Sequence, residues 1–313
     1  MKLISDFAEN DHIVGHYFCK FKQSLKTRTG KTYYSLKLQD RTGVVDAKVW
    51  ELTNDVQDFN EGDMIKIDGV VLSYQNEVQI KVGKLRRSLE GEYVISDYIP
   101  STEKDVEEMY AKVKSIIKSM QNEYLKTLLE NILVKNEANV TALKTHSAAK
   151  SMHHGYMGGL LEHTLSVAET CEFFSTRYKY VNRDLLLTGA LLHDFGKIRE
   201  LAPMPKNEYT DDGQMLGHII IGVEMVTLEV AKIKNFPHEL ASLIKHLIIS
   251  HHGEYEFGSP KLPSTTEAML LHFADNVDAK LKTIENIIEK NTTSSPWSGY
   301  QQILARYIRR SDF

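Results

Sequence analysis

Two periodicities divide the chain. From residue 12 to residue 95, apolar and polar positions alternate. In "KTYYSLKLQD" Tyr34, Leu36 and Leu38 share one face, and in "VVDAKVWE" Val45, Ala47 and Val49 do the same. A period of two is that of a half-buried strand. "DRTG" (40–43) reads as the turn between them,. "EGDMIKIDGVVLSYQNEVQIKVGKL" gives two further strands on either side of "YQNE",. The pattern predicts about five short strands, with a small helix near residues 53–60, closing into a small barrel.

Around residues 91–102 the pattern changes. Ser101 or Thr102 is the expected cap of a helix whose first turn holds Glu103 and Asp105,. From there to Tyr307 apolar residues recur at helical spacing, as in "LLEHTLSVAETCEFF", "RDLLLTGALLHDFGK" and "ELASLIKHLIISHHG". Roughly eight to ten helices are predicted. "NTTSSPWSG" (291–299) is expected to be a loop before a last, basic helix. The predicted fold class is multidomain α and β: a small β-barrel over residues 1–95, then an all-α bundle over 96–313 with a helical lead-in at 96–145.

Composition adds limits. The 313 residues carry a formal charge of −4, which excludes a uniformly basic nucleic-acid binder and leaves room for a local patch. "MKLISDFAENDHIVG" has no apolar core segment, so no signal peptide is expected,. No transmembrane run is seen, so no membrane partner and a cytoplasmic location are expected. Cys19 and Cys171 are far apart and read as reduced, buried thiols,.

Histidine is concentrated in the helical half, where 11 of the 13 lie after residue 145. His163, His193, His218 and the pair His251–His252 sit in or at the ends of apolar helices, as do Asp194 and Asp275. Buried ionisable groups are costly unless they are paired or bound to metal. Convergence on metal would satisfy all of them at once. Donors of imidazole and carboxylate without thiolate suit Mn, Fe, Co, Ni or Zn rather than a structural zinc cage. Two ions with Asp194 between them would use the whole set, polarise a phosphoryl group and activate a water.

In the order His163, His193–Asp194, His218, His251–His252, Asp275, the chain resembles the HD-domain metal-dependent phosphohydrolases. "HHGYMGGLLEHTLSVA", "LLHDFGKIREL", "YTDDGQMLGHI" and "ISHHGEYEFGSPKLPSTTEAMLLHFADNVDAK" are similar to the YhaM-type 3′–5′ exoribonucleases, which join an OB-like barrel to an HD domain. The resemblance implies His163, His193, Asp194, His218, His251, His252 and Asp275 as ligands of two divalent ions, with Mn the leading choice. It implies catalytic roles for Asp194 and for Lys197, which would hold the scissile phosphate. Glu162 and His272 are candidates to orient ligands, and His153 and His154 to touch substrate.

Between Lys20 and Lys48, eight cations face only Asp40 and Asp46, with Phe18, Phe21, Tyr33, Tyr34 and Trp50 interleaved. Cations and aromatic faces are what a single-strand platform needs. Lys20, Lys22, Arg28, Lys31 and Tyr33 are the expected contacts. The leading reading is an exonuclease on single-stranded RNA, with single-stranded DNA as a further substrate and a homo-oligomer as an open option. A phosphohydrolase of small or cyclic nucleotides and a DNA-binding regulator remain as alternatives.

Overall fold

Five strands carry the alternating segment: β1 (His12–Lys26), β2 (Thr32–Asp40), β3 (Gly43–Val49), β4 (Met64–Tyr74) and β5 (Glu77–Arg87). In this computed structural model the described residues are 2–74, 77–150, 154–291 and 295–311. The strands form a closed barrel in the order β1-β2-β3-β5-β4, with β4 pairing back to β1 and β3 running parallel to β5. This is an OB fold. Closure removes every free strand edge. Tyr17, Leu36, Leu38, Val49, Ile65, Ile67, Ile80 and Leu85 fill it. The "DRTG" turn is held by buried Asp40, whose Oδ1 accepts from the Thr42 and Gly43 amides at 2.7 and 3.2 Å.

One register shift matters for function. Cys19 pairs with Leu38 and Phe21 with Lys37, so Lys20 is an extra residue in β1. A bulge inverts the alternation beyond it. Phe21 therefore points outward, and Lys22, opposite buried Leu36, points inward. The helix expected near 53–60 is absent. Its backbone bonds to β5 instead, with Leu85 N donating to Asp55 O and Gln57 N to Leu85 O. Phe59, 1% exposed, plugs the barrel from this segment.

The chain divides into two compact units, Met1–Ser101 and Thr102–Phe313, a few residues beyond the boundary expected at 95. The shift has a cause: Gln39 Nε2 donates to Tyr98 O, and Arg41 N donates to Asp97 O, binding this stretch to the barrel.

In the second unit the described helices are α1 (Val106–Ser119), α2 (Glu123–Glu130), α3 (Glu137–Thr145), α4 (Gly159–Arg177), α5 (Arg183–Leu192), α6 (Lys197–Glu200), α7 (Asp211–Val230), α8 (His238–Ser250) and α9 (Thr266–Lys290). The first is capped by Asp105, which accepts from the Glu108 amide, not by Ser101 or Thr102. The hydroxyl of Thr102 instead donates to Glu162. Leu160, Leu161, Leu186, Leu187, Leu191, Ile244, Leu247 and Leu271 form the core between α4, α5, α8 and α9.

By length and composition, α7 is apolar enough to cross a membrane. It is broken at Gly217 (φ 72°, ψ 161°), and Ile219, Ile221 and Val226 are buried within the unit. The last basic helix is absent: residues 295–311 form a narrow hairpin with pairings Trp297–Arg309 and Gln301–Arg306. Ala305 at its turn adopts a left-handed conformation (φ 51°), which a helix cannot contain,.

Candidate metal centre

Five elements converge. α4 brings His163, the end of α5 brings His193 and Asp194, α7 brings His218, the end of α8 brings His251 and His252, and α9 brings Asp275. His163, His193 and Asp275 offer donor atoms that lie within 4.8 Å of one another, and so do His218, His251 and His252. Asp194 stands between the two groups. Its Oδ2 lies 3.3 Å from His163 Nε2 and 3.5 Å from His193 Nε2, and its Oδ1 lies 3.4 Å from His218 Nε2 and 3.7 Å from His251 Nε2.

Close packing makes this possible. After α5 the chain turns sharply through His193–Gly196. A Cβ on Gly196 would lie 2.0 Å from His218 O and 2.7 Å from Gly222 N. Only glycine lets the backbone of α7 pass that close and bring His218 over Asp194.

Every imidazole is anchored from behind. His193 Nδ1 lies 2.9 Å from Ala190 O, His251 Nδ1 2.7 Å from Ile248 O, and His252 Nδ1 2.8 Å from Phe257 O. A carbonyl only accepts, so Nδ1 donates in each. His163 Nδ1 lies 2.7 Å from Asp278 Oδ2, and His218 Nδ1 3.0 Å from Glu200 Oε1. The five rings thus aim Nε2 at the centre, the nitrogen that carries the lone pair whenever the ring is neutral, and this is the arrangement typical of metal-bound histidine.

The residues fit a divalent metal. His163 Nε2 and His193 Nε2 are 3.2 Å apart, about the separation of two donors on one ion with bonds of ~2.0–2.2 Å. His218 Nε2 and His251 Nε2 are buried with no hydrogen-bond partner among the described residues. Burial lowers the pKa of His193, His252 and, most strongly, His251, keeping them neutral. Burial also opposes charge on His163, but hydrogen bonds to Asp194, Asp275 and Asp278 raise its pKa well above the usual value. Asp194 and Asp275 are held ionised against burial, Asp194 chiefly by Lys197 and Asp275 chiefly by His163. The carboxylates that hold a proton on His163 are placed to hold a cation there instead.

Lys197 Nζ lies 2.6 Å from Asp194 Oδ2. A cavity of about 310 Å³ opens over the centre, lined by Lys197, Asp194, His163, Asp275, Asn276, Lys280, His252, His272 and Phe257. Other expectations are corrected. His154 is buried, with Nε2 3.0 Å from Asp278 Oδ2 and Nδ1 3.0 Å from Tyr156 OH, so it faces the protein rather than substrate. His153 lies outside the described residues. Among the described residues Glu162 bonds to no imidazole; it accepts from Thr102 and Tyr156 at 2.6 and 2.9 Å and pairs with Lys104. His272 Nδ1 bonds to His251 O, bracing the ligand-bearing turn.

Asp278 and Glu200, the carboxylates behind His163 and His218, were not anticipated. Asp278 lies three residues after Asp275 on α9, the spacing that returns to one face. Asp278→Ala is expected to weaken metal binding about 10–100-fold while the helical circular dichroism is retained. Titration calorimetry with Mn²⁺ giving unchanged affinity would discard this role.

On the barrel, Phe21, Tyr33 and Trp50 are on the outer side, and the Tyr33 and Trp50 rings stack at 4.6 Å. Lys20, Arg28 and Lys31 are exposed. Lys22 is not on this surface: past the bulge its Nζ sits 4.0 Å from the Phe59 ring and 4.5 Å from that of Tyr34. Phe18 is buried and Tyr34 packs edge-on against Phe59. Cys19 and Cys171 are free and buried, and burial pushes the Cys19 thiol up to about 12.

Comparison with known proteins agrees with both units. The HD domain family matches residues 160–280, and the OB-fold nucleic acid binding domain family matches residues 21–87. Among solved structures, the second OB-fold domain of replication protein A from Methanococcus maripaludis is 19% identical, covering 30% of this chain and 97% of that one with a TM-score of 0.23. A replication protein A heterotrimer bound to ssDNA is 17% identical, covering 26% and 62%, with a TM-score of 0.22. At those scores neither adds to what the barrel's own topology establishes. The fold and the centre define a divalent-metal-binding HD-domain protein that carries an OB-fold barrel. The 3′–5′ exoribonuclease YhaM of Geobacillus sp. (strain WCH70) is 34% identical over 263 residues, 83% of this chain and 80% of that protein. The chain belongs to the YhaM family of 3′–5′ exoribonucleases.

Proposed function

We propose that the protein is a metal-dependent exonuclease that degrades single-stranded RNA from its 3′ end to nucleoside 5′-monophosphates. The observation that carries this reading is the Asp194 carboxylate, with one oxygen toward His163 and His193 and the other toward His218 and His251. His163, His193 and Asp275 would hold one divalent ion, His218, His251 and His252 a second, and Asp194 both. Nitrogen and oxygen donors without thiolate suit Mn²⁺, Fe, Co, Ni or Zn, and the family resemblance puts Mn²⁺ first. A divalent metal held there would supply Lewis acidity to a phosphodiester and a water of lowered pKa.

The side chains supply the rest. Lys197 holds Asp194 in place and presents a cation to the scissile phosphate. Lys280 and Asn276 line the path to it, and half-exposed Phe257 offers a ring to the terminal base. A cavity of about 310 Å³ is at the small end of ligand sites and suits one strand end. On the barrel, Lys20, Arg28 and Lys31 would meet phosphates, with Tyr33, Trp50 and Phe21 stacking on bases.

The test uses single strands labelled at either end, with Mn²⁺ and with chelator. With Mn²⁺, the 3′ label is expected to leave at once as a 5′-monophosphate, while 5′-labelled strands shorten stepwise. Chelator is expected to stop both. Early release of a 5′ mononucleotide, or full turnover in metal-stripped protein, would overturn the proposal.

A further inference from the structure

The C-terminal hairpin brings no side chain to the metal ligands described above. Trp297 stands opposite Arg309, fixed by Ser298 N donating to Ile308 O at 2.7 Å and Arg310 N to Pro296 O at 2.8 Å. Opposed residues of an antiparallel pair share a face, and residues two apart on one strand do as well. Ile308 is buried on the inner side. Trp297, Arg309 and Tyr307 therefore share the outer side. Tyr300 joins them, its ring 5.3 Å from that of Tyr307 and edge-on to it. Trp297, Tyr300 and Tyr307 are 52%, 54% and 60% exposed.

Exposed aromatic groups at this density mark a binding surface, and the charges say for what. From Asn291 to Ser311 the sequence holds Arg306, Arg309 and Arg310 and no Asp or Glu; Asp312 is the first acid after Glu289. Arg306 and Arg309 are exposed and make no ion pair among the described residues. Aromatic faces beside unpaired arginines fit the bases and phosphates of a single strand. A second copy of the chain docked here by a two-fold axis would set Arg306 and Arg309 near their own images, with no acid in the segment to relieve the repulsion.

We infer that the outer face of the hairpin, built from Trp297, Tyr300, Tyr307 and Arg309, with exposed Arg306 beside it next to the turn, is a second contact for single-stranded nucleic acid, carried by the helical unit itself. It reads no sequence, since stacking accepts any base and arginine meets the backbone. It gives the unit with the metal centre its own hold on the strand, apart from that of the barrel. The inference stands on the hairpin alone and does not require the metal chemistry.

Binding of a fluorescent 20-nucleotide oligouridine to the full chain tests it, with chelator present so that the strand stays whole. Trp297→Ala combined with Tyr307→Ala is expected to weaken affinity about tenfold or more, since each stacked base is worth ~1–3 kcal/mol. Arg306→Glu combined with Arg309→Glu is expected to weaken it and to flatten the salt dependence by roughly 1.4 in logarithmic slope, the loss of two phosphate contacts on a single strand. Trp297→Phe and Tyr307→Phe should keep wild-type affinity. Arg309→Ala alone repeats the test with least risk to the fold, and circular dichroism checks each protein. Affinity within twofold of wild type in the double variants would overturn the inference. So would a fall in affinity accompanied, in light scattering, by loss of a self-associated form, which would make the hairpin an interface between copies.

Discussion

Asp194→Asn is expected to lower phosphodiester hydrolysis by about a thousandfold or more, equivalent to ~4 kcal/mol in the barrier. The amide keeps the shape of the carboxylate but not its charge or its two equivalent oxygens. Both oxygens are in use, one toward each group of imidazoles. The amide's NH₂ would face a ring nitrogen that a metal should occupy. The asparagine is preferred to alanine because its amide oxygen can still accept from the Lys197 ammonium packed against this side chain and because it leaves no cavity. RNA affinity is expected to stay near wild type, because stacking and backbone contacts lie elsewhere. A variant that binds its full complement of metal and turns over like wild type would remove Asp194 from its role.

Gly196→Ala is expected to cost about 3 kcal/mol or more, near or beyond the upper end for one added methyl in a packed site. The added carbon would meet His218 O at 2.0 Å and Gly222 N at 2.7 Å. Both are backbone atoms of α7, so no rotamer relieves the overlap. For a unit of this size the melting temperature should fall by roughly 6–12 °C. Because α7 must move away, His218 should leave the centre, and bound Mn²⁺ should fall with it. Calorimetric melting and metal analysis check both effects. A variant with native melting and native metal content would show that the turn can open at no cost.

The strands and the ligand-bearing helices were legible because their signals are local. Tyr34, Leu36 and Leu38 alternate without interruption, and His193–Asp194 ends an unbroken apolar helix. The resemblance to HD proteins supplied the order of the histidines, and the fold brings those residues together. Four kinds of feature were not legible. The bulge at Lys20 has no glycine or proline to announce it, so Lys22 was placed on the wrong side. The segment 53–60 bonds across to β5, a partner distant in sequence. Asp278 and Glu200 look like ordinary polar residues of helices until the tertiary fold sets them behind His163 and His218. The C-terminal hairpin carries a helical spacing of apolar residues, but Trp297–Arg309 pairing and the turn at Ala305 prevail.

The carboxylates behind and between the imidazoles also set an order of events. Asp194, Asp275, Asp278 and Glu200 bring four negative charges to one small volume, answered within the protein by Lys197 and by the proton on His163. In that condition the centre repels a phosphodiester. Two divalent cations would displace the proton and leave a surplus of one positive charge, which a single phosphodiester cancels. The side-chain charge between and behind the imidazoles thus turns from negative to positive on metal loading, and a phosphodiester offsets the excess. On the proposed function, the 3′ end of a strand is expected to enter the centre only once metal is bound.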